Sequence, residues 1–569
     1  MFASPTPLTF FLFLAVGQVH AKCRSSPGSA DWPAEAAWRT LNTTVGGRLS
    51  SVVPLPKYCE GLPGGGCTDE QWQSALFRSQ IPGAMNQDNW GQGYDFTPPS
   101  LCFRNSSSLA CGQGDVPLYA VEAETVADVQ AAVKFANSHN LRLTIQSSGH
   151  DYLGRSTAPN SLLIHMAKFT DLVFSDAFVV DGKDVGSAVT VGPGVHLQDI
   201  YARSRAHGKI AIGGTAATVC AAGGYLQGAG HSALSPLLGL SADNTLEFQI
   251  VVANGTLLKA NDAENSDLFY ALRGGGAGSW GVIVSATLRT FPTFNATVSL
   301  IQIQTSTNAA AAAIARANAE HIFDLDAVPG GQYFYLNRQL QGNSSLIDIF
   351  FETILPRTEV DDATSILAPF LQDLSTIPDA EIVSQVVEER VVNDILYNAD
   401  DDAGGNIVLG SRLIPTTAYR AIDAPETVEK VYRELLDAGA LGILGHLVAG
   451  GQVSANANIS SAITPAWRTA KTHIVIPNGW ADSASIDSIN TVRGKFQNTF
   501  LPILEQLSGP DAGAYSNEAD LLEPNFQTTF FGPNYAKLSA IKAKYDPEDL
   551  FIVATGVGSE RWDQWGVCT

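Results

Sequence analysis

Two short stretches bring glycine, serine and histidine together in a way that suits a bound phosphate and a bound ring. The first is Gln146-Ser147-Ser148-Gly149-His150-Asp151-Tyr152-Leu153-Gly154-Arg155-Ser156, directly after an apolar strand from Leu141 to Ile145. Small residues let backbone N–H groups close on an anion, and a histidine fixed at the end of such a loop can reach a cofactor's ring. An ordinary strand-to-loop turn with a surface histidine fits the same residues. The second stretch is Gly223-Gly224-Tyr225-Leu226-Gln227-Gly228-Ala229-Gly230-His231-Ser232. A third, Gly274 to Gly281, places Gly276, Gly278 and Gly281 in G-x-G-x-x-G. There a helix-like segment precedes and a strand-like one follows, the reverse of a Rossmann dinucleotide site. Neither GxxxxGK[ST] nor GxSxG occurs, which removes the nucleoside-triphosphate loop and the hydrolase elbow. No C-x-x-C or HExxH spacing occurs, and the ten histidines show no ligand cluster along the chain, so no metal is expected.

The elements around these loops can be read from hydrophobic period. Leu118 to Val121 reads as a strand, Val126 to Ser138 as a helix with apolar residues at helical spacing, and Leu141 to Ile145 as the next strand. Strand, helix, strand and small-residue loop form a parallel unit with its ligand at the carboxyl end. Further strands are expected at Leu162 to Met166, Phe178 to Val180, Ala188 to Val191, Leu246 to Val252 and Val282 to Leu288. From about Asn295 long strands alternate with amphipathic helices, among them Ala309 to Phe323, Val360 to Leu374, Pro425 to Leu436 and Ile486 to Leu507. This predicts an α+β domain with helices over one face of a sheet.

Gly149-His150-Asp151-Tyr152-Leu153-Gly154 resembles the loop of berberine-bridge-enzyme-like FAD oxidases, of the vanillyl-alcohol-oxidase superfamily. Tyr515-Ser516-Asn517 and Tyr545-Asp546-Pro547-Glu548-Asp549-Leu550-Phe551 resemble the C-terminal motifs of the same family, so the likeness runs from about Val116 to Trp562. Within the family the texture is similar to a secreted fungal branch that includes isoamyl-alcohol-oxidase-like proteins. The resemblance implies an α+β fold. A loop-rich N-terminal wrap (22–114) precedes a two-part PCMH-type FAD-binding domain (115–294). A substrate domain (295–510) with an antiparallel sheet covered by helices follows, and a C-terminal segment (511–569) returns to the FAD domain. FAD is then assigned to Ser147, Ser148, Gly149, His150, Asp151 and Gly154 of the first loop, and to Gly223, Gly224, Gly228, Gly230, His231 and Ser232 of the second. Gly214, Thr218, Asp243, Gly281 and Val282 complete the assignment. His150 matches the histidine bonded to the flavin's 8-methyl group. Many relatives carry a second, cysteinyl link where Ala216 stands here, and Cys220 lies four residues beyond, so a single tether is implied.

The implied reaction is removal of a hydride equivalent from a small organic substrate, alcohol-type favoured, with electrons passed to oxygen to give hydrogen peroxide. A base is needed because an alcohol is a poor hydride donor until its proton begins to leave. Tyr515 is the leading candidate, with Asn517 on the same face of the family's strand and Glu518 on the other. Arg412 could anchor an acidic substrate, but a surface ion pair is its expected use. Two other readings stand beside this one: a tailoring oxidase that cyclises or desaturates a secondary metabolite, and a non-catalytic flavin- or glycan-binding protein.

Composition narrows the partners. The 569 residues are 45% hydrophobic and 16% charged, which is globular rather than disordered, and 34 basic against 56 acidic residues argue against nucleic acid or an anionic membrane. A monomer acting on a small molecule and oxygen is expected. Leu8 to Val16 followed by Val19-His20-Ala21 reads as a signal peptide over residues 1–21. Sequons at Asn42, Asn105, Asn254, Asn295, Asn343 and Asn458 agree with export. Seven cysteines suit an oxidising compartment. Cys59 and Cys67, and Cys102 and Cys111, are spaced for short closed loops, Cys23 and Cys568 can join the ends, and Cys220 reads as a buried free thiol.

Overall fold

The computed structural model describes residues 22–104, 111–341 and 344–569; the leader and the sequons at Asn105 and Asn343 lie outside them. The first parallel unit forms as its sequence dictates. Thr125 caps the helix Val126–Ser138 by accepting from the Asp128 N–H while the Asp128 side chain accepts from Thr125, a reciprocal box that satisfies two free donors. Val129, Ala132, Val133 and Ala136 bury one face of that helix against a small sheet. That sheet runs β1 (Leu49–Ser51), β2 (Tyr119–Glu122), β4 (Leu162–His165), β3 (Leu143–Gln146), with β2, β4 and β3 parallel. The first glycine-rich loop leaves the carboxyl end of β3.

A second, antiparallel sheet follows in the order β8 (Leu257–Ala260), β7 (Thr245–Val251), β9 (Val282–Arg289), β6 (Ala188–Val191), β5 (Leu172–Ser175). The helix Ser266–Leu272 leads through the third glycine stretch into β9, as expected for a non-Rossmann context. The seven-stranded third sheet has the order β13 (Glu381–Val391), β10 (Asn295–Thr305), β12 (Ser344–Pro356), β11 (Gly331–Gln341), β15 (Gly442–Leu447), β16 (Ala470–Trp480), β14 (Asn406–Pro415), and all its pairs are antiparallel. Helices Asn308–Glu320, Val360–Leu374 and Ala424–Asp437 bury their apolar faces on it. The expected helix Ile486 to Leu507 forms as one helical run, Ile486–Lys495 and Leu501–Ser508 joined through a widened turn at Phe496–Phe500 that precedes Pro502, which has no N–H to donate.

Cys23–Cys568, Cys59–Cys67 and Cys102–Cys111 are disulfides, and Cys220 is free and buried. The C-terminal segment does return to the FAD-type domain. Buried Lys542 donates to Asp546 (2.5 Å), Phe551 O (2.6 Å) and Ser279 O (2.8 Å), which fixes the third glycine stretch to the C-terminal motif.

Arg412 corrects its expectation. It is not at the surface: its Nη2 donates to Glu523 Oε2 at 2.9 Å, with the two side chains 4% and 3% exposed. Neither residue lines the glycine-loop cavity described below, so the pair ties β14 to the C-terminal segment. Arg412→Met should lower the unfolding free energy by about 3–5 kcal/mol, because it strands a buried carboxylate. A loss under about 1 kcal/mol in denaturant melts would remove this pair from the stabilising contacts.

Candidate active site

Gly149 has φ +82°, a left-handed conformation, and a Cβ there would lie 2.8 Å from the Ala84 carbonyl oxygen. Only glycine lets the first loop turn this tightly under the N-terminal wrap. Behind it, Gln146 Oε1 accepts from the Gly83 N–H at 2.8 Å. The loop then opens into a cavity lined by Ser147, Ser148, Gly149, His150 and Asp151. Gly223, Gly224, Gly281, Tyr515 and Asn517 line the same cavity. Ten of the sequence-assigned residues therefore face one space.

The remaining assigned residues stand behind that wall. Thr218 Oγ1 is 2.5 Å from His150 Nε2 and donates to Asp401 Oδ2 at 2.5 Å. Asp401 Oδ2 is 3.4 Å from His150 Nε2 and also accepts the Thr218 N–H at 2.7 Å. Burial would raise the Asp401 carboxyl, but His150 and Thr218 hold it well below the usual range. The Gly214 carbonyl accepts the Tyr201 hydroxyl, and Gly154 packs on Trp90. Gly230 pairs through its carbonyl with the Ser241 N–H, Ser232 caps a buried turn, and Val282 starts β9 in the core. Asp243 departs from its assignment. It does not line the cavity, and Arg468 donates to both its oxygens at 2.7 and 2.8 Å, which ties this segment to the one that carries the third sheet.

Sequence reasoning missed several lining residues, including Tyr152, Arg155, Gln227, Asp401 and Asp402. Asp401 and Asp402 end the acidic run Asp400-Asp401-Asp402, which by pattern is a solvated loop. Ala216 and Cys220 both line the cavity; burial pushes the Cys220 thiol up to about 12, so it is uncharged.

Asn517 organises another part of the cavity wall. Its Nδ2 donates to the Gly224 carbonyl (3.0 Å) and to the Tyr515 hydroxyl oxygen (2.8 Å), while its Oδ1 accepts from Arg155 Nη2 (2.9 Å). A side chain on Gly228 would lie 2.3 Å from Asn517 Nδ2, so glycine there makes room for this junction. The segment is not a strand. The Glu518 N–H bonds the Tyr515 carbonyl at 3.0 Å, and this turn brings Glu518 into the same cavity wall as Tyr515, not the opposite face.

Three histidines that sequence spacing kept apart converge here. His231 Nε2 lies 3.3 and 3.4 Å from the two Glu518 oxygens, and His473 Nδ1 lies 3.5 Å from Oε2. The His446 ring sits 6.1 Å from that of His231. The Tyr515 ring lies edge-on to His231, His473 and Trp467. Burial alone would raise Glu518, but the His231 imidazole beside it holds its carboxyl below the usual range, while burial keeps His446 and His473 well below theirs and uncharged near neutrality. Burial and the Glu518 charge both raise Tyr515, against a weaker opposing pull from Asn517.

A glycine-walled cavity at the carboxyl end of a parallel unit, with His473 of the third sheet beside its Tyr515 and Glu518, is the site of a flavoprotein of the VAO type. The FAD-binding domain family matches residues 117–261, and the berberine and berberine-like family matches residues 514–558. An FAD-linked oxidoreductase of Arthroderma benhamiae is 37% identical over 97% of this chain and 97% of its own. A flavin-dependent oxygenase of Aspergillus ustus is 33% identical over 93% of this chain and 98% of its own. The crystal structure of a VAO-type flavoprotein of Myceliophthora thermophila superimposes with a TM-score of 0.84 and 30% identity, covering 96% of this chain and 100% of the other. The chain belongs to the berberine-like FAD-linked oxidoreductases, and it is an enzyme. Its cavity fits FAD: beyond the glycine and serine cradle, the buried Gln227 Oε1 on the wall has no hydrogen-bond partner among the described residues, an acceptor that a ring N–H would satisfy.

Proposed function

We propose that this enzyme is a secreted, monomeric oxidase of a small, alcohol-type substrate, with oxygen as electron acceptor and hydrogen peroxide as product. The carrying observation is the junction of Tyr515, Asn517 and Glu518 in the glycine-lined cavity. When bound, FAD supplies the two-electron redox chemistry. Ser147, Ser148, Gly149, Gly223 and Gly224 would hold it, and His150 would be its single covalent anchor. Tyr515 takes the substrate proton. Its oxygen already accepts from Asn517, which is backed by the Arg155 guanidinium, so an anion formed there has a donor and a positive charge behind it. A peroxide-coupled screen over alcohols, sugars, amines and phenolics tests the reading. Stoichiometric peroxide with one alcohol class supports it; substrate loss without peroxide would favour oxidative tailoring of a secondary metabolite.

Three disulfides and exposed sequons at Asn254, Asn295 and Asn458 support export. Among the described residues no helix is long and apolar enough to cross a membrane. Mature protein should begin near Lys22 and lose mass on deglycosylation. An intact Met1 on intracellular protein would reject secretion.

A further inference from the structure

We infer that His231, His473 and Glu518 form a binding site for one divalent transition-metal cation of the zinc class. The three side chains come from separate segments, the second glycine-rich loop, β16 and the C-terminal return, and each offers one ligand atom within 4.8 Å of the others. The N···O separations of 3.3, 3.4 and 3.5 Å decide between two ways of reading the cluster. They are long for N–H···O hydrogen bonds, which run at about 2.7–3.2 Å. With Glu518 Oε2 as the single carboxylate ligand, its separations of 3.4 Å from His231 Nε2 and 3.5 Å from His473 Nδ1 match two edges of a tetrahedron whose metal–nitrogen and metal–oxygen bonds are about 2.0–2.2 Å, edges of roughly 3.3–3.6 Å.

The donor set also selects the ion. Two imidazoles and one carboxylate suit zinc and its neighbours, whereas calcium and magnesium take oxygen ligands. His473 is fully buried, and neither of its ring nitrogens has a hydrogen-bond partner among the described residues. That is an unusual state for a polar ring, and a bound cation relieves it at Nδ1. Three protein ligands leave a fourth position for water or a substrate oxygen, the arrangement of catalytic rather than closed structural sites. Glu518 lines the flavin cavity, so a ligand in that position communicates with it. A cation would also offset the Glu518 charge beside Tyr515.

Affinity should be modest. The far nitrogens, His231 Nδ1 and His473 Nε2, lack the outer partners that orient metal-bound imidazoles, each worth roughly 10–100-fold. The site should therefore bind more weakly than one whose two imidazoles both have such partners. The site stands apart from the oxidase reading, because binding is measured without turnover.

The test uses untagged, full-length holoenzyme, dialysed against a chelator and then titrated with zinc in equilibrium dialysis, with bound metal counted by atomic emission. One saturable equivalent is expected. His473→Gln and Glu518→Gln should each weaken it by more than the roughly 10–100-fold of an outer partner, with flavin content confirming a folded protein. Absence of a saturable site, or a site that survives both substitutions, overturns the inference. X-ray absorption of zinc-loaded wild type needs no variant. It should show imidazole nitrogen and oxygen at about 2.0–2.2 Å; an all-oxygen shell would mean binding at surface carboxylates and also overturns it.

Discussion

Tyr515→Phe should slow anaerobic flavin reduction by roughly 10²–10⁴-fold, the usual contribution of a general base, while the flavin stays bound. The substitution keeps the ring packed against His231, His473 and Trp467 and removes only the hydroxyl. Asn517 Nδ2 loses one acceptor but keeps the Gly224 carbonyl, and Arg155 still holds its Oδ1, so the wall remains satisfied. The pH dependence carries the same signature. A base works in its deprotonated form, and burial together with Glu518 raises Tyr515 above its ordinary value. Wild-type reduction should therefore climb with pH through the neutral and alkaline range, and the variant should lose that climb. Stopped-flow reduction across pH reads both. A change of less than about threefold, set against the 10²–10⁴-fold expected, removes Tyr515 from proton transfer and makes Glu518, ionised on the same wall, the next base to replace.

Much of the scaffold was legible because local and tertiary demands agree. The helix Val126–Ser138 and the strand Ala188–Val191 appear with their expected bounds, each having one clear period and clear ends. β13 (Glu381–Val391) escaped because it is an edge strand with both faces wet: Ile382, Val383 and Val386 are 36%, 47% and 44% exposed, so no buried alternation marks it. The turn at Tyr515 to Glu518 escaped for a different reason. A Tyr-x-Asn strand would send Glu518 to the face opposite Tyr515, and the Glu518 N–H to Tyr515 carbonyl bond that closes a turn instead has no marker in the sequence.

The site divides along the same line. Residues of the glycine-rich loops are contiguous along the chain, so Ser147 to Asp151 can be assigned to one wall from their order alone. Asp401, His446 and His473 reach the site from the segment that carries the third sheet, and nothing local marks them. Asp401 sits in an acidic run, and the two histidines lie in strands whose pattern is that of ordinary core. Asp243 shows the converse, where a residue assigned by its position in sequence is bound by a bidentate arginine from a distant segment that nothing local marks.

His150→Ala should convert a flavin that survives acid precipitation with the protein into one released to the supernatant. His150 lines the cavity, with Thr218 Oγ1 and Asp401 Oδ2 both beside its Nε2, so the ring is held in one orientation at the wall. Among the described lining residues, the two at or near the second-tether position offer no competing nucleophile. Ala216 has no reactive atom, and the Cys220 thiol, pushed up to about 12, is far from the thiolate that attack requires. Removing one imidazole should therefore remove the whole covalent fraction, while the glycine and serine cradle still binds FAD reversibly. A histidyl bond also withdraws electron density from the ring, so the variant should turn over more slowly even when saturated with FAD. Precipitation followed by absorbance of pellet and supernatant separates the outcomes. Flavin kept by the denatured variant would place the tether at another residue, and Cys220, on the same wall, would be replaced next.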